Sequence, residues 1–219
     1  MSPEATDFLY PFIEADERDA GPLLTDLSRS AEGKWTASTR LRSETLARED
    51  AQIHDVAEVM AQRFLAGGQL FAFGNGGSAT DAGAAAQLFT RPPWGPPLPA
   101  RSLASDHSVL TAISNDIGFD VVFSRQLIAH AHEGDIALGF STSGNSENLI
   151  VAFAEARKRG MLTLGIAGYD GGRMAASEHV QHCLVARSDS VHRVQETQAA
   201  LTHALWSAVQ SEIARKEAS

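Results

Sequence analysis

Apolar positions along the chain follow two alternating rhythms. From about Trp35 to Leu65, the residues Leu41, Leu46, Ile53, Val56, Val59, Met60 and Phe64 recur at roughly helical spacing, and Gly67-Gly68 ends the run. This predicts one long helix. Beyond it, short apolar runs alternate with helical ones. Strands are expected at 69–73, 100–104, 136–140, 162–167 and 181–186, and helices at 78–89, 108–113, 119–131, 146–159 and 191–216. The helix at 146–159 has Glu147 in its first turn, Arg157-Lys158-Arg159 in its last and Gly160 just beyond, an order that suits the helix dipole and a left-handed cap. Residues 92–99 hold five of the eight prolines and read as a stiff loop. Repeated strand–helix units with short apolar strands predict a parallel sheet covered by helices, an α/β fold.

Residues 1–33 stand outside this rhythm and read as an appendage, with residues 34–219 as the domain. Phe8, Leu9, Tyr10, Phe12 and Ile13 are set among acids, and Pro11 interrupts any helix. An apolar clip against the body or against a protein partner is one reading, a lightly ordered terminus the other. Composition narrows the classes. The chain has 219 residues, 43% hydrophobic and 21% charged, which is ordinary for a globular domain. One cysteine, Cys183, excludes an intrachain disulfide, and it sits in an apolar strand where packing explains it better than nucleophilic chemistry. No run is long and apolar enough to span a membrane, and the acidic start is unlike a secretory signal, so a cytoplasmic protein is expected. Eighteen Lys and Arg against 27 Asp and Glu give a net charge of −9, which argues against direct nucleic-acid binding. It leaves room for a phosphorylated ligand, because backbone N–H groups at helix N-termini hold phosphate without lysines.

Ligands of open parallel sheets bind beyond the C-terminal strand ends. Two such junctions carry small residues and hydroxyls: Gly74-Asn75-Gly76-Gly77-Ser78 and Ser141-Thr142-Ser143-Gly144-Asn145-Ser146. Glycine lets the backbone approach an anion, and Ser and Thr donate to phosphate oxygens. Each loop alone is an ordinary turn with a helix cap; two on one sheet point to a phosphate site. A dinucleotide fingerprint fails, because the proline loop lies where the ribose-binding acid should be. There is no Gly-x-x-x-x-Gly-Lys-Ser/Thr loop, and Ser143 lacks a nucleophile elbow.

The segments GNGGS at 74–78, SNDIGFD at 114–120, FSRQL at 123–127, GD at 134–135, STSGNS at 141–146, GYDGGRMA at 168–175 and RVQE at 193–196 occur in one order and spacing. Together they resemble the phosphoheptose isomerases, sugar isomerase (SIS) domain proteins, over residues 40–212. The resemblance implies a three-layer sandwich around a five-stranded parallel sheet, flavodoxin-like and doubly wound, with long N- and C-terminal helices. It implies a homotetramer with sites at subunit interfaces and a sugar phosphate such as sedoheptulose 7-phosphate as ligand, with no cofactor expected. It also implies that Ser78, Ser141, Thr142, Ser143 and Ser146 hold the phosphate, while Asn75, Gly76, Asp116 and Gln195 line the sugar site.

Family chemistry moves a proton between adjacent carbons through an enediol, which needs a base and an acid or metal. In the isomerases a His and a Glu four residues apart on the helix after GNGGS serve this purpose, with a Gln and a His from the last helix; zinc-binding members use the same cluster. Here the His and Glu positions are Ala84 and Leu88, so no metal site is expected. Gln195 and His203 match the last-helix pair, but eight residues separate them by about 12 Å along one helix axis. Gln87 points about 100° from the lost position, and His130 and His132 would splay apart on a helix. If the acid–base set is rearranged, His203 and Glu196 are the catalytic candidates, with Asp81 another. A packed or surface His203 and a solvated Glu196 are the competing readings. A phosphosugar isomerase is one conclusion; the alternative is a non-catalytic phosphosugar sensor or adaptor, similar to the SIS-domain regulator associated with a bacterial replication initiator. A phosphosugar lyase or etherase lacks a suitably placed acid.

Overall fold

The computed structural model describes residues 21–218. The apolar cluster between Asp7 and Asp19 lies outside them. The first helix, α1 (Gly21–Leu65), begins well ahead of Trp35. Its opening turns show no buried apolar stripe, which is why periodicity did not reveal them; Leu23, Leu24, Leu27 and Trp35 are all exposed. Two compact units divide the chain between Thr39 and Arg40. The first contains those opening turns, and the second contains the sheet.

From Arg40 onward the chain ends α1 at Leu65, where Gly67 takes a left-handed φ of 90°. It then alternates as expected: β1 (Leu70–Gly74), α2 (Gly77–Thr90), β2 (Ala100–Ser102), α3 (His107–Asp116), a 3₁₀ turn (Phe119–Val121), α4 (Val122–His130), β3 (Ile136–Ser141), α5 (Glu147–Lys158), β4 (Leu162–Gly168), α6 (Gly172–Ala176), β5 (His182–Ala186) and α7 (Val191–Glu217). Four details differ from the sequence expectation, the first being that α3 runs on to Asp116, past the expected end at Ile113. The helix expected over 119–131 opens as a separate 3₁₀ turn after Gly118, whose φ is 146°. β2 is shorter than expected. The five-residue α6 was unforeseen, because one turn opening on glycine carries no periodic signal.

All four strand pairs are parallel, in the order β2-β1-β3-β4-β5. β3 and β4 are buried along their whole lengths, as central strands covered on both faces must be. One core layer packs α1, α2 and α7 against Leu70, Ala72, Leu138, Leu164 and Ile166. The other packs α4, α5 and α6 against Phe71, Phe73, Ala137 and Ala167. Phe73 meets Phe153 and Phe123 at ring-centroid separations of 5.2 and 5.5 Å. A side chain at Gly139 would collide with the Phe153 ring, so this glycine sets how closely α5 lies on β3. Burying each phenyl ring is worth roughly 1.5–3 kcal/mol.

The sheet edges are managed. β2 is three residues long and follows the proline loop, and that loop is pinned to α7: Trp94 stacks edge-on to Trp206 at 5.1 Å, and Gln210 Nε2 donates to the Pro96 carbonyl at 3.0 Å. At the far edge, Arg48 of α1 donates to the Val185 carbonyl of β5 at 2.5 Å, capping an acceptor the ladder leaves open. Cys183, also in β5, has its thiol pushed up to about 12 by burial, which matches a packing role.

Candidate functional site

The sheet order brings the two junction loops together. β1 has β2 on one side and β3 on the other, so chain connections leave in opposite directions between β1 and β3, and a crevice opens at their C-terminal ends. The first loop follows β1 and the second follows β3.

At the first, Gly74 pairs with Phe140 of β3, and a side chain there would lie 2.5 Å from the Ser78 carbonyl and 2.9 Å from that of Phe140. Glycine is what lets the loop fold back so tightly. Gly76 has φ 54° and serves as the N-cap of α2 without a side-chain cap. The Ser78 and Ala79 amides close the turn on the Asn75 and Gly76 carbonyls at 2.9 and 3.0 Å. Ser78 is buried, while Gly76 and Gly77 are exposed at the crevice end of the helix.

At the second, the hydroxyls work on their own backbone. Ser141 Oγ accepts the Gly144 amide at 3.0 Å and lies 3.4 Å from Ser146 Oγ. Ser143 Oγ accepts the Asn145 amide at 3.2 Å. A serine whose oxygen accepts a backbone N–H keeps its proton to donate, so Ser143 is poised for an outside acceptor, while either hydroxyl of the Ser141–Ser146 pair can donate within it. Ser146 is the N-cap of α5 and makes no side-chain cap bond. The loop rests on glycines of the following segment. A side chain at Gly172 would crowd Ser143 and meet Asn145 Oδ1 at 2.8 Å, and one at Gly168 would crowd the Thr142 carbonyl. Gln198 of α7, fully buried, donates from one Nε2 to the Ser141 and Ile166 carbonyls at 3.2 and 3.0 Å, tying the ends of β3 and β4.

A reciprocal amide pair joins the two loops. Asn75 Nδ2 donates to Asn148 Oδ1 at 2.9 Å, and Asn148 Nδ2 donates back to Asn75 Oδ1 at 3.0 Å. Asn148 lies in the first turn of α5 and is buried. Beside the first loop, Gln195 Nε2 donates to Asp81 Oδ2 at 3.3 Å. A side chain on Gly77 would collide with the same amide, 3.2 Å from Gln195 Cδ. Burial raises the Asp81 carboxyl, and the Gln195 bond partly offsets this. Arg173 of α6 donates its backbone N–H to Asn145 Oδ1 at 3.0 Å, and its guanidinium pairs with Glu147, holding that carboxyl below the usual range.

The other expected site residues lie elsewhere. Asp116 closes α3, exposed, accepting from neighbouring Asn115 at 2.8 Å, and no hydrogen bond joins it to either loop among the described residues. Glu196 is exposed and makes no ion pair among the described residues. His203 is exposed on α7 with its ring centroid 5.2 Å from that of Trp206. It lines a groove of about 390 Å³ against α1 with Leu46, Asp50 and His54, whereas Gln195 is engaged with Asp81. On α2, Gly77, Asp81, Ala84 and Leu88 share a face, with Ala84 exposed and Leu88 half-buried against the core. Neither alanine nor leucine has a lone pair to give a metal. Among the described residues no three His, Cys, Asp or Glu are grouped to hold one. The residues present do not fit the zinc cluster that the family resemblance implies.

Sequence reasoning missed Asn148, Arg173 and Gln198. Two left a signal: Asn148 is a poor helix former just inside a helix, and Gln198 is an amide on the apolar stripe of Val194, Leu201 and Leu205. Arg173 sat in a quoted motif with nothing to mark its partner.

Comparison with known proteins agrees with the fold. The SIS domain profile matches residues 35–168. The phosphoheptose isomerase of Chlorobaculum parvum is 43% identical over 179 residues, 80% of this chain and 85% of that protein. That of Sulfurimonas denitrificans is 42% identical over 164 residues, 74% and 83% of the two chains. Among solved structures, the phosphoheptose isomerase from Neisseria gonorrhoeae superimposes with a TM-score of 0.76 at 37% identity, covering 84% of this chain and 99% of that one.

Proposed function

The chain belongs to the SIS-domain family, with the phosphoheptose isomerases, and from that premise we propose that it binds a sugar phosphate between the β1 and β3 loops while lacking the family's usual proton-transfer pair. The phosphate is held by the hydroxyls of Ser78, Ser141, Thr142, Ser143 and Ser146 and by the backbone at the N-termini of α2 and α5. The sugar extends from there past Gly76 toward Gln195. The supporting observation is the convergence of two hydroxyl-bearing loops on adjacent strands, tied by Asn75 and Asn148, beside a helix face that carries Ala84 and Leu88. Isomerisation through an enediol needs a base within about 3 Å of the migrating proton, and an isobutyl group cannot supply one.

One observation favours residual isomerase chemistry. Asp81 lies on that face, its carboxyl raised by burial and oriented by Gln195, the setting in which carboxyl groups exchange protons in active sites. The reading extends to a homotetramer in the cytoplasm, in which the exposed His203 groove between α1 and α7 faces another subunit. Calorimetric titration with sedoheptulose 7-phosphate, alongside turnover of the same sugar, tests the proposal. Binding with turnover at least a hundredfold below that of an authentic phosphoheptose isomerase is expected. Full turnover would overturn the binding-protein reading, and absence of binding would overturn the phosphosugar site.

A further inference from the structure

We propose that Asn148 is a positioning residue for the anion site, holding the Gly76-Gly77-Ser78 loop in register with the Ser141–Ser146 loop through its reciprocal hydrogen bonds with Asn75. The inference rests on the phosphosugar-binding reading and adds to it a residue that does not touch the ligand. Each amide gives one N–H and takes one, at 2.9 and 3.0 Å, in a two-bond ring between the turn after β1 and the first turn of α5. The ring permits one relative orientation. Turning either amide alone sets oxygen against oxygen and nitrogen against nitrogen.

Asn148 is 2% exposed, so water cannot replace a lost partner. The first loop's backbone bonds, Ser78 to Asn75 and Ala79 to Gly76, are internal to its own turn and do not fix its distance from the second loop. Gly76, at φ 54°, has no side chain to brace it. The second loop is fixed from below by Gln198 and from the side by the glycines before and within α6. The Asn75–Asn148 ring therefore transmits that fixed position to the first loop. A phosphate held by both loops requires their donors to be correct to a fraction of an ångström. Asn75 thus contributes to the site mainly by locking its loop, with its amide turned toward Asn148.

The replacement Asn148→Asp tests this without changing size. Ionised, the new carboxylate still accepts from Asn75 Nδ2 but sets a charged oxygen against Asn75 Oδ1. Protonated, it donates to that oxygen and restores both bonds. A buried carboxyl facing a carbonyl oxygen titrates well above the usual carboxylate range, so the change falls within a usable pH window. Dissociation constants for sedoheptulose 7-phosphate, and for inorganic phosphate as a second probe, are measured between about pH 5.5 and 8.5 for the variant and the native chain. The ratio between the two proteins is the readout. It cancels the titration of the ligand's phosphate, of Asp81 beside the first loop and of Glu147 with Arg173 beside the second, which both proteins share.

The variant is expected to bind about tenfold more weakly at the alkaline end, the loss of one buried hydrogen bond, and to approach native affinity at the acid end. A general loss of structure would lower the melting temperature without restoring affinity in this way. Asn75→Asp, which places the acid on the other side of the ring, should give the same profile and serves if the first variant folds poorly at alkaline pH. A ratio that stays flat across the range while the native chain binds would overturn the positioning role and leave the phosphosugar reading intact. Failure of both variants to fold at the acid end, where both bonds are restored, would overturn it equally. A native chain that binds neither probe would remove the anion site, and with it anything for Asn148 to position.

Discussion

Replacing Gly144 by alanine tests how the phosphate loop is seated. Gly144 has φ 68°, a left-handed conformation that costs an alanine about 1–2 kcal/mol. The new methyl group would also overlap the Gly171 carbonyl, 2.6 Å from its carbon and 3.1 Å from the Gly172 nitrogen, where ordinary contact begins at 3.4 Å. These are backbone atoms and cannot rotate aside. The same junction carries the bond from the Met174 amide to the Gly144 carbonyl at 2.8 Å, so relief by moving α6 stretches a second interaction. Overpacking of this kind adds about 1–3 kcal/mol, for a combined loss of about 2–5 kcal/mol. That is a large part of the roughly 5–15 kcal/mol that holds a domain together.

Urea denaturation measures the loss, and Gly67→Ala supplies the control. Gly67 also has a positive φ, 90°, but a side chain there meets nothing within 4 Å, so that variant pays the backbone cost alone. The difference between the two variants isolates the collision at the loop, and it should exceed about 1 kcal/mol with unchanged m-values. Sugar-phosphate affinity should fall for Gly144→Ala and hold for Gly67→Ala. Equal destabilisation by the two would refute the tight seating of the loop on the Gly171-Gly172 segment.

Ser143→Asp places a carboxylate at the phosphate position and should weaken sugar-phosphate binding at least a hundredfold; unchanged heats in calorimetry would remove Ser143 from the site. The pair Ala84→His and Leu88→Glu restores an imidazole and a carboxylate on one face of α2 and should raise both sedoheptulose 7-phosphate turnover and retained zinc, since each acid–base group is typically worth about 10²–10⁴-fold; elemental analysis and a turnover assay showing neither gain would mean that the rest of the reaction site is also lost. Asp81, raised by burial, favours the folded state when protonated, and that contribution disappears as pH rises from the unfolded carboxyl value through the folded one. Asp81→Asn, neutral throughout and still able to accept from Gln195, should therefore be more stable than the native chain at pH 7 and lose that advantage below about pH 4, as read from urea midpoints; an equal advantage at both would contradict the buried charge.

The strands and most helices were legible because their burial is periodic or continuous. β3 and β4 read as short, largely apolar runs and are buried along their whole lengths. Gly67 and Gly160 mark helix ends and take the left-handed φ that only their lack of a side chain makes cheap. The junction loops were legible as composition, but their adjacency depended on strand order, which no local pattern encodes. What escaped depends on contacts between distant segments. Asn75 was assigned to the sugar site by family position, and the amide it pairs with lies 73 residues on, where the sequence gives no sign of it. Asp116 was placed by family position and Glu196 by its helical spacing from His203, and their surroundings, an exposed helix end and an exposed helix face, become visible only once α3 and α7 are packed.

In the proposed reading, the two halves of the family's chemistry rest on different physical supports, so a phosphosugar site is compatible with the absence of the proton-transfer pair. The phosphate half is built from backbone, small hydroxyls and glycines, and each piece also serves the fold: Gly74 permits the turn after β1, Ser141 closes β3 and accepts the Gly144 amide, Gly168 lets Thr142 and Val194 approach, and Gly172 seats α6 against the second loop. A substitution there costs stability as well as binding. The proton-transfer half depended on side chains along the outward face of α2. Ala84 is exposed there, and Leu88 is half-buried against the core, so neither leaves a buried group unsatisfied. Exchanging a histidine and a glutamate for these residues removes reactivity at little cost to folding. In this fold such an exchange at α2 disturbs less than one in the loops. A full family-type proton-transfer pair on this face requires both an imidazole and a carboxylate, each contributing separately to the rate.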